Sequence, residues 1–115
     1  MNKNSTRYFS NRQEKQIVKS IGGKQVANSG ATSFHKGDIK TSNWLIEAKT
    51  VTKAKDSFSI KKAWLIKNKE EAFAMNRRYS ALAFNFGPDE ENYFVISEKL
   101  FKELVQYIEK WNKND

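Results

Sequence analysis

Two carboxylates and a lysine stand in apolar, strand-like sequence in the first half of the chain. Asp38 lies in Gly37-Asp38-Ile39, and Glu47 and Lys49 lie in Ile46-Glu47-Ala48-Lys49. A charge beside apolar core residues is costly unless something pairs with it. A divalent metal ion held by carboxylate oxygens is one such partner, and it can activate water against a phosphodiester. The pattern therefore indicates metal-dependent phosphodiester chemistry.

Acidic residues are scarce around these positions. Residues 1–69 hold fifteen Lys or Arg but only four Asp or Glu, whereas residues 70–115 hold six basic and nine acidic residues. The formal net charge of +8 and the pI of about 9.7 therefore come from the first of these segments. A concentrated basic segment favours a polyanion such as DNA as the partner. The alternative is an ordinary solvated, lysine-rich surface.

The composition excludes several other chemistries. The chain has no cysteine, which rules out a disulfide, a thiolate zinc site and a cysteine nucleophile. His35 is the only histidine, so a two-histidine zinc site is also excluded. No apolar run approaches the ~18 residues of a membrane span, and the first residues lack the apolar segment of a secretion signal. We expect a cytoplasmic protein that does not associate with membranes.

Periodicity and turn signals divide the chain into a tail and one domain. Residues 1–9 are polar and predicted to be a flexible tail, followed by a single domain over residues 10–115. The predicted order is α-β-β-β-α-β-β-α, an α/β fold with a mixed five-stranded sheet flanked by helices. Helices are predicted at 11–21, at 59–75 and after Ser97, and strands at 24–27, 38–40, 44–51, 79–86 and 92–96. Ser10 or Asn11 could cap the first helix, Gly22-Gly23 would end it, and Ser97 would cap the last helix. The buried face of the second helix is predicted to include Ile60, Ala63, Trp64, Ala72 and Phe73, and helical spacing predicts an apolar stripe on the last helix at Leu100, Phe101, Leu104, Tyr107, Ile108 and Trp111.

These elements can bring the charged residues together. Period-2 geometry places Glu47 and Lys49 on one face of their strand and the alternating apolar residues on the other. Asp38 can come from a neighbouring strand end, and Glu14, expected on the polar side of the first helix, can supply a third carboxylate. Lys49 would stabilise charge on the phosphate or orient the attacking water. The alternative is an exposed Glu47–Lys49 ion pair, which contributes only ~0–1 kcal/mol.

Taken together, these residues resemble the PD-(D/E)XK nuclease superfamily, and within it the small Holliday junction resolvases of the archaeal type and their phage relatives. The likeness covers roughly residues 10–100. It is carried by Glu14 on a first helix, Ser29-Gly30 in a loop, Gly37-Asp38-Ile39 and Ile46-Glu47-Ala48-Lys49, in the order and spacing of the family. Gly37 stands where the name of the motif has proline. The resemblance implies a restriction-endonuclease-like core.

The resemblance also implies a role for each site residue. Asp38 and Glu47 would bind Mg²⁺, for which Mn²⁺ can substitute, and the Ala48 carbonyl and Glu14 would complete the metal site. Lys49 would act in catalysis. The family likeness further implies a homodimer that nicks opposite strands of branched DNA, such as a four-way junction, and leaves 5′-phosphates.

Phosphate contacts are predicted beside this site, from a small-residue loop that precedes Asp38 and from lysines on both sides of the motif. The predicted DNA-binding residues are Lys15, Ser29, Gly30, Ser33, His35, Lys36, Lys53, Lys55, Lys61 and Lys62. The leading hypothesis is a structure-selective DNA endonuclease. The alternative is a non-catalytic basic module that only binds nucleic acid.

Overall fold

The computed structural model describes residues 6–26 and 38–113. The helices are α1 (Thr6–Ile21), α2 (Lys62–Ala74) and α3 (Glu98–Lys113). The strands are β1 (Lys24–Gln25), β2 (Asp38–Lys40), β3 (Trp44–Ala48), β4 (Tyr79–Phe84) and β5 (Tyr93–Val95). Their order along the chain is the predicted one. None of the helices in these ranges is long and apolar enough to cross a membrane.

The five strands form one mixed sheet in the order β1-β2-β3-β4-β5. β3 and β4 run parallel, and the other neighbouring pairs are antiparallel. A parallel pair needs a crossover connection, which α2 supplies between β3 and β4. The predicted α/β class with a mixed five-stranded sheet is confirmed. β3 and β4 are shorter than predicted: they end at Ala48 and Phe84, where the polar residues Lys49 and Asn85 follow.

The pleat of the sheet separates an apolar face from a charged face. On the apolar face Ile39 lies opposite Ile46, and Ile46 lies opposite Ala81. Ile17 of α1 packs against these side chains in the main core cluster. The other face carries Asp38 and Glu47, and α2 covers it. One helix therefore buries the core, and another encloses the charged residues.

Specific residues end α1 and begin α3. Gly22 and Gly23 have φ angles of +100° and +89°, and the Gly22 N–H donates to the Val18 carbonyl at 2.8 Å. A Cβ on Gly23 would lie 2.5 Å from the Lys40 carbonyl oxygen, so β2 requires glycine there. At α3, the Leu100 N–H donates to the Ser97 hydroxyl at 3.1 Å. The predicted glycine stop and serine cap are both confirmed.

α1 begins earlier than predicted. It starts at Thr6 rather than near Asn11, so residues 6–9, expected in a flexible tail, belong to the helix. Ser10, one of the two residues that could cap a helix starting near Asn11, lies inside α1 and donates its hydroxyl to the Arg7 carbonyl at 3.1 Å. No glycine or proline interrupts residues 6–10, and therefore the helix continues through them.

α2 buries a different set of residues from the one predicted. It spans Lys62–Ala74 rather than 59–75, and its buried residues are Asn68, Glu71 and Ala72. Phe73, predicted to be buried, is 84% exposed, and Ala63 is exposed as well. The prediction assumed an apolar buried face, but α2 packs over the charged face of the sheet. Its buried stripe is therefore largely polar.

Candidate metal centre

Strand register places two carboxylates side by side. Asp38 lies directly opposite Glu47 in the antiparallel pair β2–β3. Both side chains belong to buried residues, with Asp38 fully buried and Glu47 5% exposed. The predicted meeting of these two residues across adjacent strands is therefore present. An odd shift in register would have placed one of them on the opposite face of the sheet.

Glu71 of α2 is the third member of the cluster. Carboxylate oxygens of Asp38, Glu47 and Glu71 all lie within 4.8 Å of one another. Sequence reasoning missed Glu71, for which the helical spacing gives only a weak signal. Trp64 was correctly expected on the side of α2 that faces the sheet, and Glu71 follows it by seven residues, or two helical turns. The side chain of a glutamate at such a position points toward the sheet.

Lys49 is held beside the cluster by two contacts. Its Nζ atom lies 2.6 Å from Oε2 of Glu47 and 4.3 Å from the centroid of the Trp64 ring. Lys61 lies over the same ring at 5.6 Å. Because Glu47 is buried, the alternative of an exposed Glu47–Lys49 surface pair is wrong.

Three buried oxygens of Asp38 and Glu47 have no hydrogen-bond donor among the described residues. Both Asp38 carboxylate oxygens and Oε1 of Glu47 accept no hydrogen bond from any residue in the described ranges. Buried polar atoms ordinarily have such a partner. Burial, followed by the charges of Glu71, Glu47 and Glu14, raises the pKa of Asp38 to about 7, and Lys49 opposes the shift. Oxygen ligands suit hard divalent cations, so this cluster can hold a metal ion.

Glu14 lies near the cluster but not within its closest group. It is 5% exposed, and its Oε1 atom accepts a hydrogen bond from Nε2 of Gln25 at 2.9 Å. Its charge contributes to the raised pKa of Asp38. The expected position of Glu14 on the polar side of α1 is wrong: it is buried together with Ile17, because residues three apart share a helix face.

Gln13 is a second residue that sequence reasoning missed. Its Nε2 atom donates to the Lys49 carbonyl at 3.1 Å and to Oδ1 of Asn92 at 3.0 Å. Its Oε1 atom accepts the Thr50 hydroxyl at 2.7 Å. Gln13 therefore fixes the backbone that follows β3, including the residue that carries the lysine. A neutral glutamine on a helix gave no sequence signal for this role.

The remaining predicted site residues fall into three groups. The Ala48 side chain packs in the core, and the role of its carbonyl as a ligand stays a prediction. Five lysines predicted to contact DNA are exposed: Lys15, Lys53, Lys55, Lys61 and Lys62. Of these, Lys61 shares the Trp64 ring with Lys49. Five other predicted DNA-binding residues lie outside the described ranges: Ser29, Gly30, Ser33, His35 and Lys36.

No protein-family model, curated protein or solved structure matches this chain. The function is therefore inferred from the chemistry of the buried carboxylates, the lysine beside them and the excess of basic residues in the segment 1–69.

Proposed function

We propose that this chain is a metal-dependent, structure-selective DNA endonuclease with a PD-(D/E)XK-type site, and that its substrate is a branched DNA such as a four-way junction. The observation that carries the proposal is the pair of unpartnered, fully buried Asp38 oxygens beside Glu47 and its ion-paired Lys49. A purely structural carboxylate would be expected to have hydrogen-bond donors around it.

The residues of the site would have separate roles in cleavage. Asp38 and Glu47 would hold Mg²⁺, with Glu71 or Glu14 and the Ala48 carbonyl as further oxygen ligands. When bound, the ion would polarise the scissile phosphate and lower the pKa of the attacking water. Lys49, anchored by Glu47 and Trp64, would stabilise negative charge that develops on the phosphate. Gln13 would keep the Lys49 backbone in place.

DNA is the phosphodiester that fits the charge of the protein best. Asp38, Glu47 and Lys49 lie in the segment of residues 1–69, where basic residues outnumber acidic ones by fifteen to four. Exposed lysines on the loop after β3 and at the start of α2 would contact the backbone without reading sequence. Selectivity would then come from the shape of the junction rather than from base contacts.

The rival function is a basic module that binds nucleic acid without cutting it. In a module of that kind Glu47 and Lys49 would form an exposed surface pair, and the burial of Glu47 counts against it. It also supplies no reason for burying three carboxylates within 4.8 Å of one another. Mutual repulsion and desolvation make such a cluster costly unless a cation offsets them.

A cleavage assay tests the proposal. The protein is incubated with a labelled four-way junction and with a matched linear duplex, in Mg²⁺, in Mn²⁺ and in EDTA. We expect nicking of the junction only when a metal is present. Glu47→Ala should lower the cleavage rate by more than about 100-fold because it removes a metal ligand. Binding should persist or strengthen because the substitution also removes a negative charge.

Asp56→Asn is the matched control, since Asp56 is an exposed carboxylate in the same basic segment. It should cleave like the unaltered protein. Binding of the junction without cleavage in the presence of either Mg²⁺ or Mn²⁺ would overturn the nuclease proposal. Cleavage of the duplex in preference to the junction would preserve the nuclease and overturn the branched substrate.

A further inference from the structure

A groove between α2 and the start of α3 is lined mainly by basic and apolar side chains. Its volume is about 640 Å³, within the range of about 300–1,000 Å³ that is usual for ligand sites. Three of the six basic residues in the acid-rich segment 70–115 line it. The charged residues of the lining are five bases and one acid: Lys62, Lys69, Arg77, Arg78, Lys99 and Glu103. The groove therefore favours an anionic ligand.

The exposed apolar residues of α2 face this groove. Leu65, Ile66 and Phe73 line it and are 37%, 49% and 84% exposed. Ile66 and Phe73 are seven residues apart, which is two helical turns or about 10 Å along the axis. Val95 of β5 and Leu100 of α3 add aliphatic surface to the lining. The ligand must therefore also bring apolar groups.

Two buried donors in the groove lack an acceptor. Asn68 is 2% exposed, and its Nδ2 atom has no hydrogen-bond partner among the described residues. Arg77 donates from Nη1 to the Met75 carbonyl at 2.8 Å, but its buried Nε atom has no such partner. Both residues line the groove. Buried donors are ordinarily paired, so these two N–H groups are suited to a ligand with acceptor oxygens.

An acidic amphipathic helix combines all the features that the groove requires. Its carboxylates complement the basic lining and the two donors. Its apolar side chains, at intervals of four and seven residues, match the two-turn spacing of Ile66 and Phe73. A single DNA strand fits less well, because such strands bind through bases stacked on aromatic side chains. Phe73 and Tyr79 are the only aromatic residues among the described residues of the lining.

We propose that the groove between α2 and α3 is a docking site for a partner protein and binds an acidic amphipathic helix of that partner. The apolar face of the helix packs on Ile66 and Phe73, and its carboxylates pair with the basic lining and with Asn68. Asp38 and Glu47 do not line the groove, and the inference is independent of the proposed nuclease function.

A synthetic peptide tests the docking site. The probe is a fluorescein-labelled peptide of about 18 residues, or five helical turns, with leucines along one face and glutamates on the others. Fluorescence anisotropy with the full chain should give a dissociation constant below about 50 μM. A peptide of the same composition, shuffled so that it has no apolar face, should bind at least about tenfold more weakly.

Substitutions locate the binding. Phe73→Asp should weaken it at least about tenfold, because it removes an apolar contact and places a negative charge against the acidic peptide. Phe101→Asp is the matched control, since Phe101 is 60% exposed on α3 and does not line the groove. It should bind like the unaltered protein. Asn68→Ala should weaken binding about three- to tenfold, the contribution of one hydrogen bond. Circular dichroism checks that each variant is folded.

Three results would overturn the proposal. The first is no binding of the peptide at about 100 μM protein, or an equal effect of Phe73→Asp and Phe101→Asp. The second is a single-stranded oligonucleotide whose binding, unlike that of the peptide, is lost in Phe73→Asp and kept in Phe101→Asp, which would assign the groove to DNA. The third is self-association in sedimentation velocity that Phe73→Asp alone abolishes, which would assign the groove to a second copy of the chain.

Discussion

Asp38 is the residue on which the site depends most. It is fully buried, it lies against two other carboxylates, and its own oxygens receive no hydrogen bond from the described residues. Such a group is stable only when it is neutralised by a proton or by a cation. Lys49 offsets part of the charge, but its ammonium pairs with Glu47. Proton and metal should therefore compete at Asp38.

This competition predicts an unusual dependence of stability on pH. Burial and the neighbouring carboxylates raise the pKa of Asp38 to about 7 in the folded protein, against 3.8 for the ordinary group. Between these values the folded state holds a proton that the unfolded state has released. In EDTA the free energy of unfolding should therefore fall as pH rises from 5 to 8. Urea denaturation at several pH values between 5 and 8 measures this change in the free energy of unfolding.

Mg²⁺ should reverse that loss. A metal displaces the proton and binds more tightly as pH rises, and at a hundred times its dissociation constant it contributes about 2.7 kcal/mol. Asp38→Asn is the diagnostic variant, because it removes the titrating group. Its stability in EDTA should vary less with pH, and added Mg²⁺ should stabilise it much less. Equal stabilisation of both proteins by Mg²⁺ would place the ion elsewhere.

The sequence could identify only part of this site. A Glu-x-Lys triplet is expected about once by chance among nine glutamates and seventeen lysines. The prediction of Glu47 as a site residue therefore depended on its place in an apolar strand and on the scarcity of nearby acidic residues. Glu71 lies in the acid-rich segment, where one glutamate does not stand out from the others. Its role depends on which side of α2 meets the sheet, and that is decided by packing.

At the scale of elements, α2 does two things. It makes the crossover between parallel strands β3 and β4, and it brings Glu71 and Trp64 to the charged face of the sheet. The order of elements was predictable because glycine pairs, turn residues and changes of periodicity mark every connection. The orientation of α2 was not, because its exposed Phe73 and buried Asn68 contradict the usual rule for apolar and polar residues.

The turn between α1 and β1 offers a matched test of the fold. Gly22 and Gly23 both have positive φ, but only Gly23 approaches another strand: its added Cβ would meet the Lys40 carbonyl, whereas nothing lies within 4 Å of Gly22. Gly22→Ala should therefore cost about 1 kcal/mol through backbone strain alone. Gly23→Ala should cost clearly more, because β1 must also move away from β2.

Thermal or urea unfolding of the two variants measures this difference. The consequence for the site follows from Gln25, which donates to Glu14 from β1. Displacing β1 in Gly23→Ala should therefore also weaken Mg²⁺ binding, whereas Gly22→Ala should leave it close to normal. Equal loss of stability in both variants would show that the contact with Lys40 does not matter.

Across the whole molecule, the apolar and charged surfaces lie in different parts of the chain. Residues 1–69 carry the excess of basic charge and three of the four buried glutamates and aspartates around the site, while α3 carries the exposed apolar face. Helical spacing predicted the apolar stripe of α3, but the same stripe would have served equally well in a core. The short sheet is already covered by α1 and α2, and therefore most of α3 is left outside.

The separation of charge predicts how DNA binding responds to salt. Each phosphate neutralised by a lysine contributes about −0.9 to the slope of log affinity against log salt concentration. Lys61 is exposed and shares the Trp64 ring with Lys49, which places it beside the cluster. Lys61→Gln should therefore reduce the steepness of the slope by about one. Lys99→Gln removes the same charge from exposed α3 and should leave the slope unchanged. Fluorescence anisotropy with a labelled junction in EDTA measures both slopes without cleavage. If the two substitutions change the slope equally, DNA affinity depends on the net charge of the protein and not on a surface beside the site.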